Sequence, residues 1–304
     1  MVILLLLIAA GFLFAKAGIL PPAGIAVLSK LERYLFIPAL VLGTFMSNMS
    51  PDRIRNAWQY LLCGLIVALL SVPPAVLLSR LLTKDPSIRP FFTYGLVFSN
   101  FGYMGNAIVS VVFPDIFMEY LVFCLPFWML INLWGIPFLL VPSENREKTI
   151  GERLKPLLNP MFFAMAIGMI IGITGLPIPD FLVSGVSALG NCMSPVAMLL
   201  TGITIAGTHV KKILGSWSIY AASVIRLLIL PLAAMGLLML LPVPRSLELC
   251  IVCALAMPLG LNVIVIPASY GKDTSIGAGM ALVSHLLSCG TIPLVFMLFE
   301  RWCS

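Results

Sequence analysis

The chain has 304 residues, of which 61% are hydrophobic and only 10% charged, and its mean hydropathy is +1.09. Ordinary soluble domains carry roughly 25% charged residues, so a water-soluble fold is excluded and a polytopic membrane protein is indicated. The formal net charge of +6 is small, and the bases sit in loops beside apolar stretches, which marks membrane topology and not a nucleic-acid surface.

Ten apolar segments follow one another, at about 1–15, 22–47, 57–80, 90–113, 117–140, 159–175, 181–207, 214–241, 247–269 and 275–299. They are numbered here as spans 1 to 10, since most reach the roughly 17–25 residues that a transmembrane helix needs. Span 1 has the outline of a signal peptide with Ala15-Lys-Ala17 as a cleavage site, but it lacks a basic leading region and is read as a retained helix. Spans 2 and 7 carry Pro38 and Pro195, each expected to kink its helix. Span 4 is interrupted by Ser99-Asn-Phe-Gly-Tyr-Met-Gly-Asn106, which places Asn100, Gly102, Gly105 and Asn106 inside an apolar stretch.

After span 5 the charged connection 142–158 divides the chain into two sets of five spans, 1–141 and 159–304. Span 8 holds Arg226, a base well inside a membrane segment. Its cost there requires that it face protein or water, and it is weighed as an anion attractor or, preferably, as a structural donor to carbonyls freed by a helix break. Span 9 is broken at Pro258-Leu-Gly260-Leu-Asn262, because Pro258 lacks a donor and clashes with the preceding turn, and Gly260 adds flexibility. Span 10 contains His285 between Ser284 and Ser288, read more readily as a hydrogen-bonded packing group than as a proton carrier.

The two halves match at a nearly constant offset. Gly18 corresponds to Gly175, Pro38 to Pro195, Asn106 to Asn262 and Pro137 to Pro293. Five spans is an odd number, so the second half enters the membrane from the opposite side, and the expected architecture is an inverted repeat. Loops 1–2, 3–4, 5–6, 7–8 and 9–10 hold most of the 18 bases, whereas the other face has Arg53, Arg55, Arg245 and Arg301. The positive-inside rule places both termini outside the cytoplasm.

The 12 acidic residues, Glu32 among them, are read as lying in loops or near segment ends, so no carboxylate is expected at mid-membrane. That reading excludes a carboxylate proton relay and the paired aspartates of an intramembrane protease. A histidine-dependent hydrolase is disfavoured because the only histidines are His209, in a loop, and His285. Cys250 and Cys253 form a lone CxxC without a second pair, so no metal site is expected. The substrate-binding candidates are therefore Asn100, Gly102, Gly105, Asn106, Pro258, Gly260 and Asn262, with a charge or proton role open for Arg226 and His285. Each asparagine offers donors and an acceptor, and also serves as a cap for the half-helix that follows. Half-helix N-termini favour anions, which suits a carboxylate ligand.

In these motifs the chain resembles the auxin efflux carrier family of permeases, which includes plant PIN proteins and bacterial organic-acid carriers. The resemblance rests on Ser99–Asn106, Ala256–Asn262, Tyr270-Gly-Lys-Asp273, Ser284-His-Leu-Leu-Ser288 before Thr291-Ile-Pro293, and Arg226–Pro231. It implies an all-α protein of ten transmembrane helices in two inverted repeats, with spans 4 and 9 broken and crossing at the substrate site. It implies a scaffold of spans 1, 2, 6 and 7, a mobile unit of spans 3–5 and 8–10, elevator-type alternating access, and a homodimer through the scaffold. Many members have a proline after the break in span 4. Gly105-Asn106-Ala107 lacks it, which points away from the plant hormone and toward a more polar ligand.

The expected function is secondary transport of a small organic anion, a mono- or dicarboxylate, in a bacterial inner membrane. The alternatives are a sodium-coupled symporter of the bile-acid type and a non-transporting receptor. No enzyme activity, cofactor, metal or nucleic-acid partner is expected, and coupling to Na⁺ or protons is left open.

Overall fold

The structure is a computed structural model that describes residues 2–20, 23–49, 51–142, 160–206, 216–269, 272 and 275–302. The connection 143–158, His209, and Tyr270, Gly271 and Asp273 of the family motif lie outside the described residues. Among the described residues all regular structure is helical, with one isolated antiparallel bridge between Ser99 and Leu259.

The chain opens with α1 (Val2–Lys16), α2 (Ala23–Leu31), α3 (Ile37–Asn48) and α4 (Pro51–Leu82). The interrupted span 4 forms α5 (Arg89–Val97) and α6 (Asn106–Val112), followed by α7 (Phe117–Leu130). The second half holds α8 (Pro160–Thr174), α9 (Asp180–Ala206), α10 (Trp217–Val224) and α11 (Leu230–Leu238). It ends with α12 (Arg245–Ala256), α13 (Asn262–Ser269) and α14 (Ser275–Trp302).

Among the described residues five helical stretches are long and apolar enough to cross a membrane: Arg55–Leu82, Pro114–Leu140, Asp180–Ile203, Trp217–Leu238 and Ser275–Trp302. Leu6–Lys16, Phe101–Val112 and Pro160–Thr174 are shorter apolar helices. Leu6, Leu69, Leu81, Ile170 and Leu237 are exposed on these helices, an outer surface that only lipid or another apolar body can cover. The protein is an integral membrane protein.

Wide π-turns occur at Glu32–Phe36, Phe101–Gly105, Ile131–Leu140 and Ile225–Ile229. Three of them sit at a proline: Pro38 and Pro231 follow their turns, and Pro137 lies within its own. A proline ring pushes against the carbonyl four residues back and leaves it without its N–H, and widening the helix relieves both defects.

The chain forms two compact units. One comprises Met1–Tyr60, Asn106–Val122 and Leu154–Gly207. In it α1 packs along α9 and α3 along α8, both through glycines. The Gly11 α-carbon lies on the Leu199 carbonyl and Gly202 on the Ile8 carbonyl, so any side chain there would strike backbone. Gly168 and Gly172, spaced one helical turn apart on α8, press in the same way on the Leu42 and Phe45 carbonyls of α3. Close approach through small residues is how membrane helices gain dispersion energy where lipid supplies no hydrophobic drive.

The other unit comprises Leu61–Gly105, Phe123–Arg153 and Thr208–Ser304. Its interior holds α5, α12 and much of α14, whose side chains from Cys250 to Leu261 are buried almost without interruption. This unit contains both chain breaks at Phe98–Asn100 and Met257–Leu261.

The position of Glu32 corrects the sequence reading. It lies between α2 and α3 inside one helical run from Ala23 to Asn48, and it is 0% exposed. Lys30 and Arg33 beside it are exposed, and their charges made this stretch resemble a helix end.

Candidate functional site

Span 4 stops at Val97 because Phe98 turns extended, with φ −107° and ψ 111°. Span 9 stops at Ala256, and Met257 is extended in the same way, at φ −71° and ψ 148°. The residue before a proline is driven out of the helical region, so Met257 is held there by Pro258. The two extended segments pair with each other. Asn100 donates its N–H to the Pro258 carbonyl at 2.7 Å, and Gly260 donates its N–H to the Phe98 carbonyl at 3.2 Å. Backbone groups freed by each break are thus satisfied by the other, as a buried position in a membrane protein demands.

Gly260 matters here for closeness. A Cβ on it would lie 3.1 Å from the Ser99 carbonyl oxygen, and its φ is not positive. The expected role of flexibility is therefore replaced by a steric one.

Arg226 is 2% exposed and is aimed by the π-turn that Pro231 imposes. Its guanidinium donates from Nη1 to the Leu96 carbonyl at 3.0 Å, from Nη2 to Ala254 at 3.4 Å and from Nε to Met257 at 3.4 Å. Those carbonyls belong to the C-terminal ends of α5 and α12. A cation there offsets the negative ends of two helix dipoles and fills acceptors that no helical N–H reaches. Ser99 Oγ adds a second donor to the Ala254 carbonyl at 2.7 Å. Of the two readings for Arg226, the structural donor is the one this geometry displays.

Asn100 and His285 meet side chain to side chain, Asn100 Nδ2 to His285 Nε2, at 3.1 Å. The other ring nitrogen, Nδ1, lies 2.7 Å from the Ala281 carbonyl, which only accepts. Nδ1 therefore carries the hydrogen, and Nε2 accepts from the Asn100 amide. This places a neutral imidazole with both nitrogens engaged. Ser284 Oγ accepts from the Leu259 N–H at 3.2 Å and donates to Ala281 at 3.1 Å, which anchors the break of span 9 to α14.

The capping role expected of the asparagines is not what Asn100 and Asn262 do. The Asn100 side chain goes to His285, and its carbonyl accepts the Gly105 N–H at 2.9 Å across the π-turn that contains Gly102. Asn262 opens α13 half-buried, and the N–H groups of Val263 and Ile264 go to the Gly260 and Leu261 carbonyls. The Asn262 amide lies near the fully buried Tyr94 hydroxyl, and the two do not complete a hydrogen bond. Both groups thus retain hydrogen-bonding capacity beside the break.

The structure brings together Asn100, Pro258, Gly260, Arg226 and His285, with Asn262 at the next helix start. Asn106 is buried at the start of α6 and belongs to the first unit. Tyr94, Ser99, Leu259 and Ser284 are site members that the sequence reading did not single out. Ser99 and Ser284 were visible as polar residues flanking Asn100 and His285, whereas Tyr94 and Leu259 carried no signal. Among the described residues no group of three or more His, Cys, Asp or Glu side chains forms a metal site.

The two interrupted helices thus meet in a buried crossing, with a cation fixed on their C-terminal ends. The family model described as "Membrane transport protein" matches residues 1–152 and 146–296. The chain belongs to this family, that of the auxin efflux carriers. No curated protein shows significant sequence similarity to it.

Proposed function

We propose that the protein is a secondary carrier of a small organic anion, a mono- or dicarboxylate, bound at the crossing of spans 4 and 9. The observation that carries this reading is the Arg226 guanidinium on the carbonyl ends of α5 and α12. It neutralises the negative helix ends at the crossing, while α13 begins there with a positive one. Among the described residues no carboxylate acts there against an anion. Asn262 and the Tyr94 hydroxyl are the polar groups we assign to the ligand.

The proposed scaffold is spans 1, 2, 6 and 7, and the proposed mobile unit is spans 3–5 and 8–10, moving by elevator-type alternating access. The division of the chain into compact units supports the scaffold, since α1, α2, α3, α8 and α9 fall together in the first, which also takes in α6 and the starts of α4 and α7. The inverted repeat of two five-span halves is supported by a contact that recurs. Gly11 meets the Leu199 carbonyl and Gly168 meets the Leu42 carbonyl, and one shift relates both partners of each pair. A ten-span topology puts the helix ends bearing Arg53 and Glu119 on one side, and likewise those bearing Arg245 and Glu300. Ion pairs of 3.6 Å within each pair fit that arrangement.

We place the protein in a bacterial inner membrane with both termini outside, and as a homodimer through the scaffold, whose α1 and α8 expose Leu6, Phe163 and Ile167. The test is uptake into proteoliposomes. Saturable counterflow of an organic acid, with uptake compared under imposed Na⁺ and proton gradients, supports the reading. Binding of an acid without any flux would instead make the protein a receptor.

A further inference from the structure

Glu32 is the charged-type side chain that the crossing does not use. It opens the π-turn between α2 and α3, is 0% exposed, and neither carboxyl oxygen has a hydrogen-bond partner. The turn packs against α2, α3, α8 and α9. Titratable groups on the turn and these helices are Lys30, Arg33, Tyr34, Asp180 and Cys192, and all of them are exposed. Among the described residues no charged side chain acts on the carboxyl.

An ionised carboxylate in such a place loses its hydration and gains neither a donor nor a counter-charge, a penalty of several kcal/mol even after relaxation. A hard cation would need about six oxygen ligands, and among the described residues no cluster of acidic side chains surrounds Glu32. A proton needs one oxygen. Acidic side chains buried within spans mark proton pathways, and single π-turns recur at functional positions. The site is also unpaired by the repeat, because the offset that relates Pro38 to Pro195 carries Glu32 to Leu189.

We propose that Glu32 is a proton-binding site, its carboxyl neutral in the folded protein at neutral pH and ionised only when the π-turn opens to water. The proposal rests on burial and partner geometry alone, so it stands or falls separately from organic-anion transport.

The direct test is infrared spectroscopy of the purified protein in lipid nanodiscs, with the wild type compared to Glu32→Gln. The expected result is a protonated-acid carbonyl band at neutral pH in the wild type that is lost in Glu32→Gln. If Glu32→Gln does not fold, Glu32→Leu serves the same comparison. A second readout is melting temperature against pH. The folded wild type holds a proton that the unfolded chain has released, so its stability falls as pH rises, by up to tenfold in the folding constant per pH unit. The variant lacks that slope. No acid band in the wild type at neutral pH, or a band that survives both substitutions, overturns the proposal. Neither readout uses transport, so failure of counterflow leaves this site untouched, and the reverse.

Discussion

At the residue scale, the partners of the side chains at the crossing separate a structural role from a proposed ligand-binding one. Arg226 has backbone acceptors at Leu96, Ala254 and Met257, so removing it leaves buried carbonyls unpaired at about 1–3 kcal/mol each. We expect Arg226→Ala to lower the melting temperature sharply. Arg226→Lys should keep the charge but lose the fork that reaches several carbonyls, giving an intermediate melting temperature. Asn262 is half-buried beside the Tyr94 hydroxyl, so Asn262→Ala should fold normally and weaken anion binding by about 1–3 kcal/mol. Asn100→Ala is a poorer probe, since it also strips the partner from His285 Nε2.

The sequence showed that Arg226 and Asn262 required explanation, because a charge or an amide inside an apolar span is visible without coordinates. It did not show what they touch. Which carbonyls Arg226 reaches depends on the π-turn before Pro231 and on the register in which two broken helices cross. Glu32 illustrates a signal that was present and misread. Residues two apart in a helix sit about 200° apart around its axis, so an exposed Lys30 already implied an inward Glu32.

At the element scale, the breaks themselves were legible. Pro258 and the run from Gly102 to Gly105 are incompatible with uninterrupted helix, and the structure ends α12 and α5 just before them. The pairing between the breaks was not legible, because it is made by backbone groups of residues 98–100 and 258–260 and leaves no side-chain pattern. Gly260 is where it becomes testable. An alanine there would press on the Ser99 carbonyl at 3.1 Å, which is backbone and yields little. Gly260→Ala should therefore reduce anion affinity more than it reduces expression.

The loop between α4 and α5 gives an independent check outside the membrane. Asp85 accepts from the Ser87 hydroxyl at 2.7 Å and the Ser87 N–H at 2.8 Å, and these bonds hold its carboxyl below the usual range. A depressed carboxyl stabilises the folded loop above its unfolded titration and loses that contribution as pH falls through the folded value. We expect Asp85 to titrate below an ordinary aspartate in a site-resolved NMR titration, and Ser87→Ala to return it toward the ordinary value.

At the scale of the whole molecule, the compact units are held by different means. The first relies on glycine-mediated contact of α1 with α9 and α3 with α8, whereas the second is built around a polar crossing inside an apolar shell. Gly168→Leu should disrupt the first unit, since its α-carbon already lies on the Leu42 carbonyl and overpacking costs about 1–3 kcal/mol or more. The readout is the melting temperature of the purified protein. The asymmetry of the repeat is equally informative. Arg226, His285 and Glu32 have no counterparts in the other half, so the halves share a fold but differ in the polar groups each contributes.

The central claim is that a small organic anion is bound and carried at the crossing of spans 4 and 9. Its most direct test is counterflow of a labelled mono- or dicarboxylate in proteoliposomes, comparing wild type with Asn262→Ala. The account predicts saturable exchange in the wild type and an apparent affinity weakened roughly 5- to 150-fold in the variant, equivalent to about 1–3 kcal/mol. Saturable exchange with unchanged affinity in Asn262→Ala, or no exchange of any organic acid by folded wild type, would contradict it.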